Sequence, residues 1–321
     1  MSADSYQPRR AAQEPAPAHD GSPPIELRNL TKHFGKVVAV DDVTLTIPPG
    51  VVTGFLGPNG AGKTTTLSML AGLVTPTSGT ATFGGRSYAE LDSPQQTVGV
   101  ALDAAFHPGR SGRDHLRVLA PTAHADNARV DELLDLVKLT EAARRTVGGY
   151  SLGMRQRLAL ATALLGDPDY LILDEPANGL DPEGIRWLRS FLRGLADEGK
   201  TVLVSSHMLS EVNQTADEVA VIGHGHLLRH GPIDQLGDAE PTSLLRVGRR
   251  DRDAARAALT EAGWTVLDAE DASGPYLRVA TEDTAAIGRA MLQHQVAVVE
   301  LAVERVDLEA TFFQMLEQEA S

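Results

Sequence analysis

The sequence contains no cysteine. That excludes disulfides, thiolate metal sites and a cysteine nucleophile, and it is compatible with the reducing cytosol. No apolar run approaches the about 18 residues that a membrane-spanning helix needs. The longest candidate, Leu158–Leu165, stops at Gly166-Asp167-Pro168. Arg9-Arg10 has no apolar segment behind it, so neither a secretory nor a twin-arginine signal is expected. Positive charge is scarce. The net charge is −14, which sets the bulk electrostatics against nucleic acid and leaves only a local basic patch as a way to bind it. Lysine is missing altogether from residues 238–321, where 16 acidic side chains face eight basic ones, the composition of a solvated acidic surface. No long-period repeat stands out. What is left is an ordinary globular composition, 42% hydrophobic and 22% charged, in a chain long enough at 321 residues for one large domain and a smaller one. Such a chain is expected in the cytosol unless a partner holds it at a membrane.

The stretch that organises the sequence is Gly57-Pro58-Asn59-Gly60-Ala61-Gly62-Lys63-Thr64, which fits the phosphate-binding pattern G-x-x-x-x-G-K-S/T. The pattern demands a strand before it and a helix after it. Val51–Leu56 is an apolar stretch of strand length, and Thr64–Ala71 can be helical. Gly57, Gly60 and Gly62 let the backbone turn sharply so that its N–H groups face an anion, and the helix that follows points its positive end at the same place. Lys63 can reach β- and γ-phosphates, and the Thr64 hydroxyl can ligate magnesium. With Thr65, these residues form the expected binding set.

Around the loop the pattern alternates between strand and helix. Residues 1–24 are rich in proline, alanine and polar residues and read as a disordered leader. Strands are expected at Ile25–Leu30, Val37–Val40, Thr44–Ile47 and Thr80–Phe83, with turns at 48–50 and 75–79. From about 111 to 165 the apolar residues Leu116, Leu119, Val130, Leu133, Leu134 and Val137 recur at helical spacing. Continuous apolar runs at Tyr170–Leu173, Thr201–Val204 and Val219–Ile222 suit central strands buried on both faces, and 182–196 reads as the helix joining the first two. The fold class is therefore α/β, a mainly parallel sheet with a β-rich lobe and a helical insertion over about 111–165. A small α+β domain follows over 238–321. It reads as strands at 244–247, 265–267, 276–279 and 296–301, helices at 254–262 and 284–293, and a closing helix from Leu308. Arg249-Arg250 is a solvated turn.

Further chemistry lies downstream of the loop. An apolar strand ends in Asp174-Glu175, where Asp174 can bind magnesium and Glu175 can polarise an attacking water. Ser151 is placed to cap the helix carrying Leu158–Leu165, and Gly153 lets backbone approach an anion.

Together, the loop, Tyr150–Arg157, Asp174-Glu175, Asn178-Gly179-Leu180-Asp181 and Ser206-His207 stand in the order and approximate spacing of ATP-binding cassette ATPases, and residues 25–237 resemble that family. The resemblance implies ATP and magnesium as ligands. It makes Phe34, in His33-Phe34-Gly35, the aromatic that stacks on adenine. It makes Ser151 and Gly153 the signature that completes the ATP site of a second subunit in a head-to-tail dimer. It makes Asp181 the dimer-loop aspartate and His207 the switch histidine at the γ-phosphate. Two departures matter. The common signature Leu-Ser-Gly-Gly-Gln is here Tyr150-Ser151-Leu152-Gly153-Met154, a variant similar to the bacitracin- and daunorubicin-resistance exporter ATPases. Asp103 stands where a glutamine is usual, and it is short enough to reach magnesium only through water or a backbone shift.

The implied function is that of the ATPase subunit of a drug or antibiotic exporter. It would be peripheral at the cytoplasmic face of the membrane, paired with a second ATPase subunit and with a separate integral-membrane permease. The permease would dock near Asp103–Arg113, a segment carrying Phe106, His107 and Pro108. In the resemblance, the unit 238–321 is an accessory domain of this exporter branch. Two other readings stay open. A soluble cassette ATPase acting on ribosomes or DNA would carry paired cassettes, coiled-coil insertions or basic segments, and none is visible. A regulatory module with a dead ATPase conflicts with intact Lys63, Asp174, Glu175 and His207.

Overall fold

The computed structural model describes residues 22–233, 242–271 and 273–304, which fall into two compact units dividing between 233 and 242. In chain order, the first unit begins with β1 (Ile25–Phe34), β2 (Val37–Ile47), β3 (Val52–Leu56), α1 (Lys63–Leu70) and β4 (Ser78–Phe83). It continues with α2 (Pro94–Thr97), β5 (Val98–Ala101), α3 (Gly112–Leu119), α4 (Asn127–Leu136) and α5 (Leu152–Ala163). It closes with β6 (Tyr170–Leu173), α6 (Pro182–Asp197), β7 (Thr201–Ser206), α7 (Leu209–Thr215), β8 (Glu218–Gly223) and β9 (His226–Pro232).

The central sheet has the order β5-β6-β7-β3-β8-β9. The first five strands are parallel, and β9 pairs antiparallel at the edge. Every residue of β3 and of β6 is buried; β6 is an unbroken apolar run, and β3 is apolar apart from the buried Thr53 and Gly54. A three-stranded antiparallel sheet, β2-β1-β4, forms the β-rich lobe. Its Ile25, Leu27, Val43 and Phe83 share one core with Phe55, Leu67, Ile172 and Ile222 from the central layer.

Expectation and structure part company in the lobe. The two short strands expected at 37–40 and 44–47 are one strand. Asp42 takes a left-handed φ of 51° opposite Asn29 at 48°, and Asn29 Nδ2 donates to Asp42 Oδ1 at 2.8 Å. The polar break is therefore a bulge stitched across two strands rather than a turn. At the start of the chain, Pro23 and Pro24 are held to the fold. The Tyr170 hydroxyl donates to Pro23 O at 2.6 Å and the Gly84 amide donates to Pro24 O at 3.1 Å. The remainder of the expected leader, 1–21, lies outside the described residues.

The helical insertion is built from α3, α4 and α5. Leu116, Val130, Leu133, Leu134, Val137 and Leu158 are buried in it, while Leu119 is half-buried. Each helix is capped by the side chain before it: Ser111 accepts from Asp114 N, Asp126 from Arg129 N and Ser151 from Met154 N. No helix among the described residues is long and apolar enough to cross a membrane.

The second unit comprises β10 (Thr242–Val247), α8 (Arg252–Glu261), β11 (Val266–Asp271), β12 (Gly274–Val279), α9 (Thr284–Gln293) and β13 (Val298–Glu304). Its antiparallel sheet has the order β11-β12-β10-β13. Leu245, Leu277 and Val279 meet Leu259, Ile287 and Met291 of the helices in a core of their own. Arg246 pairs with Asp271 at 2.8 Å and Glu300 at 3.0 Å, joining three strands. The closing helix expected from Leu308 lies outside the described residues.

Candidate functional site

Three neighbouring strands deliver the site. β3 runs into Gly57, β6 into Asp174 and β7 into His207, with β7 between the other two. The register sets Leu56 beside Ser206 and Leu173 beside Val204, so three motifs far apart in sequence emerge together at the carboxyl ends of parallel strands. That is where open α/β sheets hold their ligands.

The loop turns as the glycine pattern requires. Gly62 caps α1 in the left-handed region at φ 106°, and a Cβ there would come 2.6 Å from the Ala39 carbonyl oxygen. Pro58, Asn59 and Gly60 form the exposed crown of the loop, Ala61 is buried beneath it, and Thr65 is half-buried. The first turn of α1 holds no acidic residue, so no side chain there neutralises its positive end.

Lys63 is 6% exposed. Its Nζ donates to Gly57 O at 2.6 Å and Pro58 O at 3.3 Å and lies 3.4 Å from Glu175 Oε1. The Thr64 hydroxyl donates to Asp174 Oδ2 at 2.6 Å, joining the two halves of the site across 110 residues. The other Asp174 oxygen accepts from the Ser205 hydroxyl. The same hydroxyl accepts from the Glu175 amide at 2.9 Å. Glu175 has a left-handed φ of 48°, a conformation that costs a non-glycine residue about 1–2 kcal/mol and is retained where the surroundings over-determine it. Here the Ser205 bond fixes its amide, while Lys63 on one side and His207 Nδ1 at 2.8 Å on the other hold its carboxylate.

Ser205 was invisible in sequence reasoning. It is a small residue near the end of a buried strand, and only the pairing of β6 with β7 shows that its hydroxyl faces both carboxylate residues.

The other expected site residues are placed as follows. Phe34 is 51% exposed at the end of β1, with Lys32 Nζ 5.0 Å from its ring centroid. Asp103 is exposed just past β5, and none of the bonds among Lys63, Thr64, Asp174, Glu175, Ser205 and His207 includes it. Ser151 is exposed at the start of α5, its Oγ 3.2 Å from the Met154 amide it accepts. Gly153 packs against the Asn178–Asp181 turn, where a Cβ would come 2.9 Å from Gly179 O. Asp181 accepts from the Gly184 amide at 2.8 Å and thereby caps α6. Within the segment expected to face a partner, Phe106 meets His115 edge-on at 4.8 Å, and His107 Nδ1 accepts from the Gly109 amide at 3.2 Å. Burial and then the charge of Arg110 hold the His115 imidazole below its ordinary 6.5.

Chemically, the cluster sets a lysine ammonium against the glycine-rich loop, a hydroxyl and a carboxylate as adjacent hard oxygen donors, and a second carboxylate next to an imidazole. The oxygen pair of Thr64 and Asp174 has the donor chemistry that suits magnesium.

Comparisons with known proteins place the chain as a whole. The family model described as ABC transporter matches residues 40–178. The chain is similar to the bacitracin transport ATP-binding protein BcrA of Enterococcus faecalis, with 41% identity over 216 residues, 66% of this chain and 70% of that protein. It is similar over more of its length to the uncharacterized ABC transporter ATP-binding protein YhcH of Bacillus subtilis (strain 168), with 36% identity over 300 residues, 91% of this chain and 95% of that protein. Among solved structures, one described as the ATP binding subunit of an ABC transporter superposes with a TM-score of 0.60 at 25% identity, covering 66% of this chain and 91% of that one.

Proposed function

This chain belongs to the ABC transporter ATPase family, and we propose that it is the ATP-hydrolysing subunit of an exporter for a drug, an antibiotic or another small hydrophobic compound. The observation that carries this reading is the convergence of Lys63, Thr64, Asp174, Glu175 and His207 through bonds of 2.6 to 3.4 Å at the ends of three adjacent strands. The export assignment is supported by the likeness to a bacitracin transport protein and by the Tyr150–Met154 signature.

In this reading the loop amides, Lys63 and the α1 N-terminus bind the phosphates of ATP, and Phe34 stacks on the adenine. Thr64 and Asp174 would hold magnesium, with Asp103 approaching through water, and the ion would neutralise phosphate charge. When ATP enters, the Lys63 ammonium exchanges the Gly57 and Pro58 carbonyls for phosphate oxygens. That exchange frees the Glu175 carboxylate from its pairing with Lys63. Glu175 then accepts a hydrogen bond from the attacking water and orients it in line with the γ-phosphate. His207, on the far side of Glu175, donates to the charge that develops. Ser205 keeps the Glu175 backbone in its left-handed turn throughout.

Two copies would close head to tail on two ATP molecules, with Ser151, Gly153 and Asp181 of each contributing to the other's site. The dimer would work on a membrane permease that docks near Asp103–Arg113, placing the chain at the cytoplasmic face of the membrane. Residues 25–237 would be the cassette and 238–321 an accessory domain. Glu175→Gln tests the reading: it should keep ATP binding, lower turnover by more than about a hundredfold and trap an ATP-bound dimer. Unchanged turnover would sink the water-orienting role.

A further inference from the structure

The segment that begins α5 and the turn that follows Glu175 interlock within one chain. Leu152 stands where the common signature has glycine, and it is 55% exposed. The part that is covered lies against Gly179, where a Cβ would overlap the Leu152 side chain. Gly179 has a left-handed φ of 76°, which leaves its Cα face open to receive the leucine. The fit is reciprocal, because Gly153 admits the Gly179 carbonyl at a distance that a Cβ would reduce to 2.9 Å, with Leu180 Cδ2 at 3.4 Å. On its other side the turn is tied to the backbone of Glu175. The Asn178 amide donates to Glu175 O at 3.1 Å, and the Leu180 amide donates to Ala177 O at 3.1 Å.

A leucine more than half exposed at the first turn of a helix adds little to stability, since most of its apolar surface stays in water. Its place between two glycine openings serves alignment. We propose that Leu152 is a positioning residue that couples the two ATP sites of the dimer. When Ser151 and Gly153 seat on ATP held by a second copy, Leu152 carries that displacement to Gly179 and so to the Glu175 backbone. Each chain's carboxylate is thereby set for hydrolysis when its own signature segment is engaged. The proposal rests on the ATP-sandwich reading above.

The test uses the full chain with Leu152→Ala, Gly179→Ala and the double variant, read by ATP turnover against ATP concentration. Gly179→Ala should lower kcat by at least about tenfold, because the new methyl meets Leu152. Leu152→Ala should leave the thermal midpoint and the affinity of the monomer for a fluorescent ATP analogue close to those of the parent. It should lower the Hill coefficient from about 2 toward about 1. The double variant should recover at least about threefold in kcat over Gly179→Ala, since the Leu152 Cγ and Cδ2 that the methyl meets first are gone and only the Cβ, 3.0 Å away, stays close. A purely local backbone cost at Gly179 would give no such recovery. The coupling is overturned if the double variant is no faster than Gly179→Ala, or if Leu152→Ala keeps the parent's Hill coefficient. Dimerisation with ATP in the Glu175→Gln background separates the two levels. A chain that stays monomeric there overturns the sandwich and the coupling with it, whereas a dimer with unaltered Leu152→Ala behaviour overturns the coupling alone.

Discussion

Replacing Ser205 by alanine removes one oxygen and unfastens two residues. Ser205 is fully buried, and its hydroxyl both donates to Asp174 Oδ1 and accepts from the Glu175 amide. Alanine fills nearly the same volume, so no cavity term enters, and the cost is that of the unmade bonds. A buried group left unsatisfied costs about 1–3 kcal/mol. Asp174 is only half-buried and partly rehydrates, so about 2–3 kcal/mol is expected for the pair. At about 2–4 °C per kcal/mol for a unit of this size, the nucleotide-free midpoint should fall by about 4–12 °C in calorimetry of the full chain. Turnover should fall as well. The left-handed turn at Glu175 loses the bond that fixes its amide, and the carboxylate leaves its place between Lys63 and His207. A fall in kcat of at least about tenfold is expected, corresponding to about 1.4 kcal/mol of misplacement. KM for ATP should change less, because Ser205 makes none of the bonds to Lys63. A midpoint within about 1 °C of the parent together with unchanged kcat would refute the claim that this hydroxyl organises the carboxylates.

Two further perturbations follow from the same geometry. Ser151→Ala removes the cap of α5 and should cost about 1 kcal/mol in a thermal melt, while ATP-driven dimerisation, followed by light scattering, should weaken more than ATP binding to the monomer; loss of monomer binding instead would refute the cross-subunit role. His115 has its folded-state pKa lowered by burial and by Arg110, so its contribution to stability is complete above about pH 6.5 and is lost as pH falls through the lower folded value. Replacing it by glutamine should flatten the decline of the thermal midpoint between about pH 7 and about pH 5, and an unchanged profile would show that His115 does not drive it.

What sequence reasoning could read was the chemistry attached to largely apolar strands. β3 and β6 are buried along their whole length, so Asp174 stands out as the first charged position after β6, and the glycine motif that opens at Gly57 stands out after β3. His207 follows β7 less plainly, because Ser205 and Ser206 already end the apolar run of that strand. Edge elements carry weaker signals. β9, with His226, Arg229 and His230 at one edge of the sheet, is half-exposed along most of its length and shows no alternating apolar pattern, and the short helix α7 is as weakly marked. β11 continues four residues beyond its apolar start because Asp268 and Glu270 face water and pattern alone sees a loop there. Ser205 and the Leu152–Gly179 pair belong to a third class. Their residue types fit many roles, and only register and proximity assign one.

Double duty sets a further limit on reading residues one at a time. Ser151 and Asp181 are the residues expected to act across the dimer, yet in their own chain each caps a helix through its side-chain oxygen. A capped oxygen keeps lone pairs for a second partner, so the two roles are compatible. Ser151 accepts from the Met154 amide, which leaves its own proton free for a phosphate oxygen in the proposed second role. In the proposed dimer, an alanine at either position would remove local stability and cross-subunit contact together. Asp181→Asn separates them. The amide oxygen can still accept from the Gly184 amide, so α6 should keep its cap, while the negative charge is gone. If the Asp181 charge links the two ATP sites, Asp181→Asn should melt within about 1 °C of the parent and still lose cooperative turnover. A variant that melts like the parent and hydrolyses ATP with the parent's cooperativity would confine Asp181 to the helix it caps.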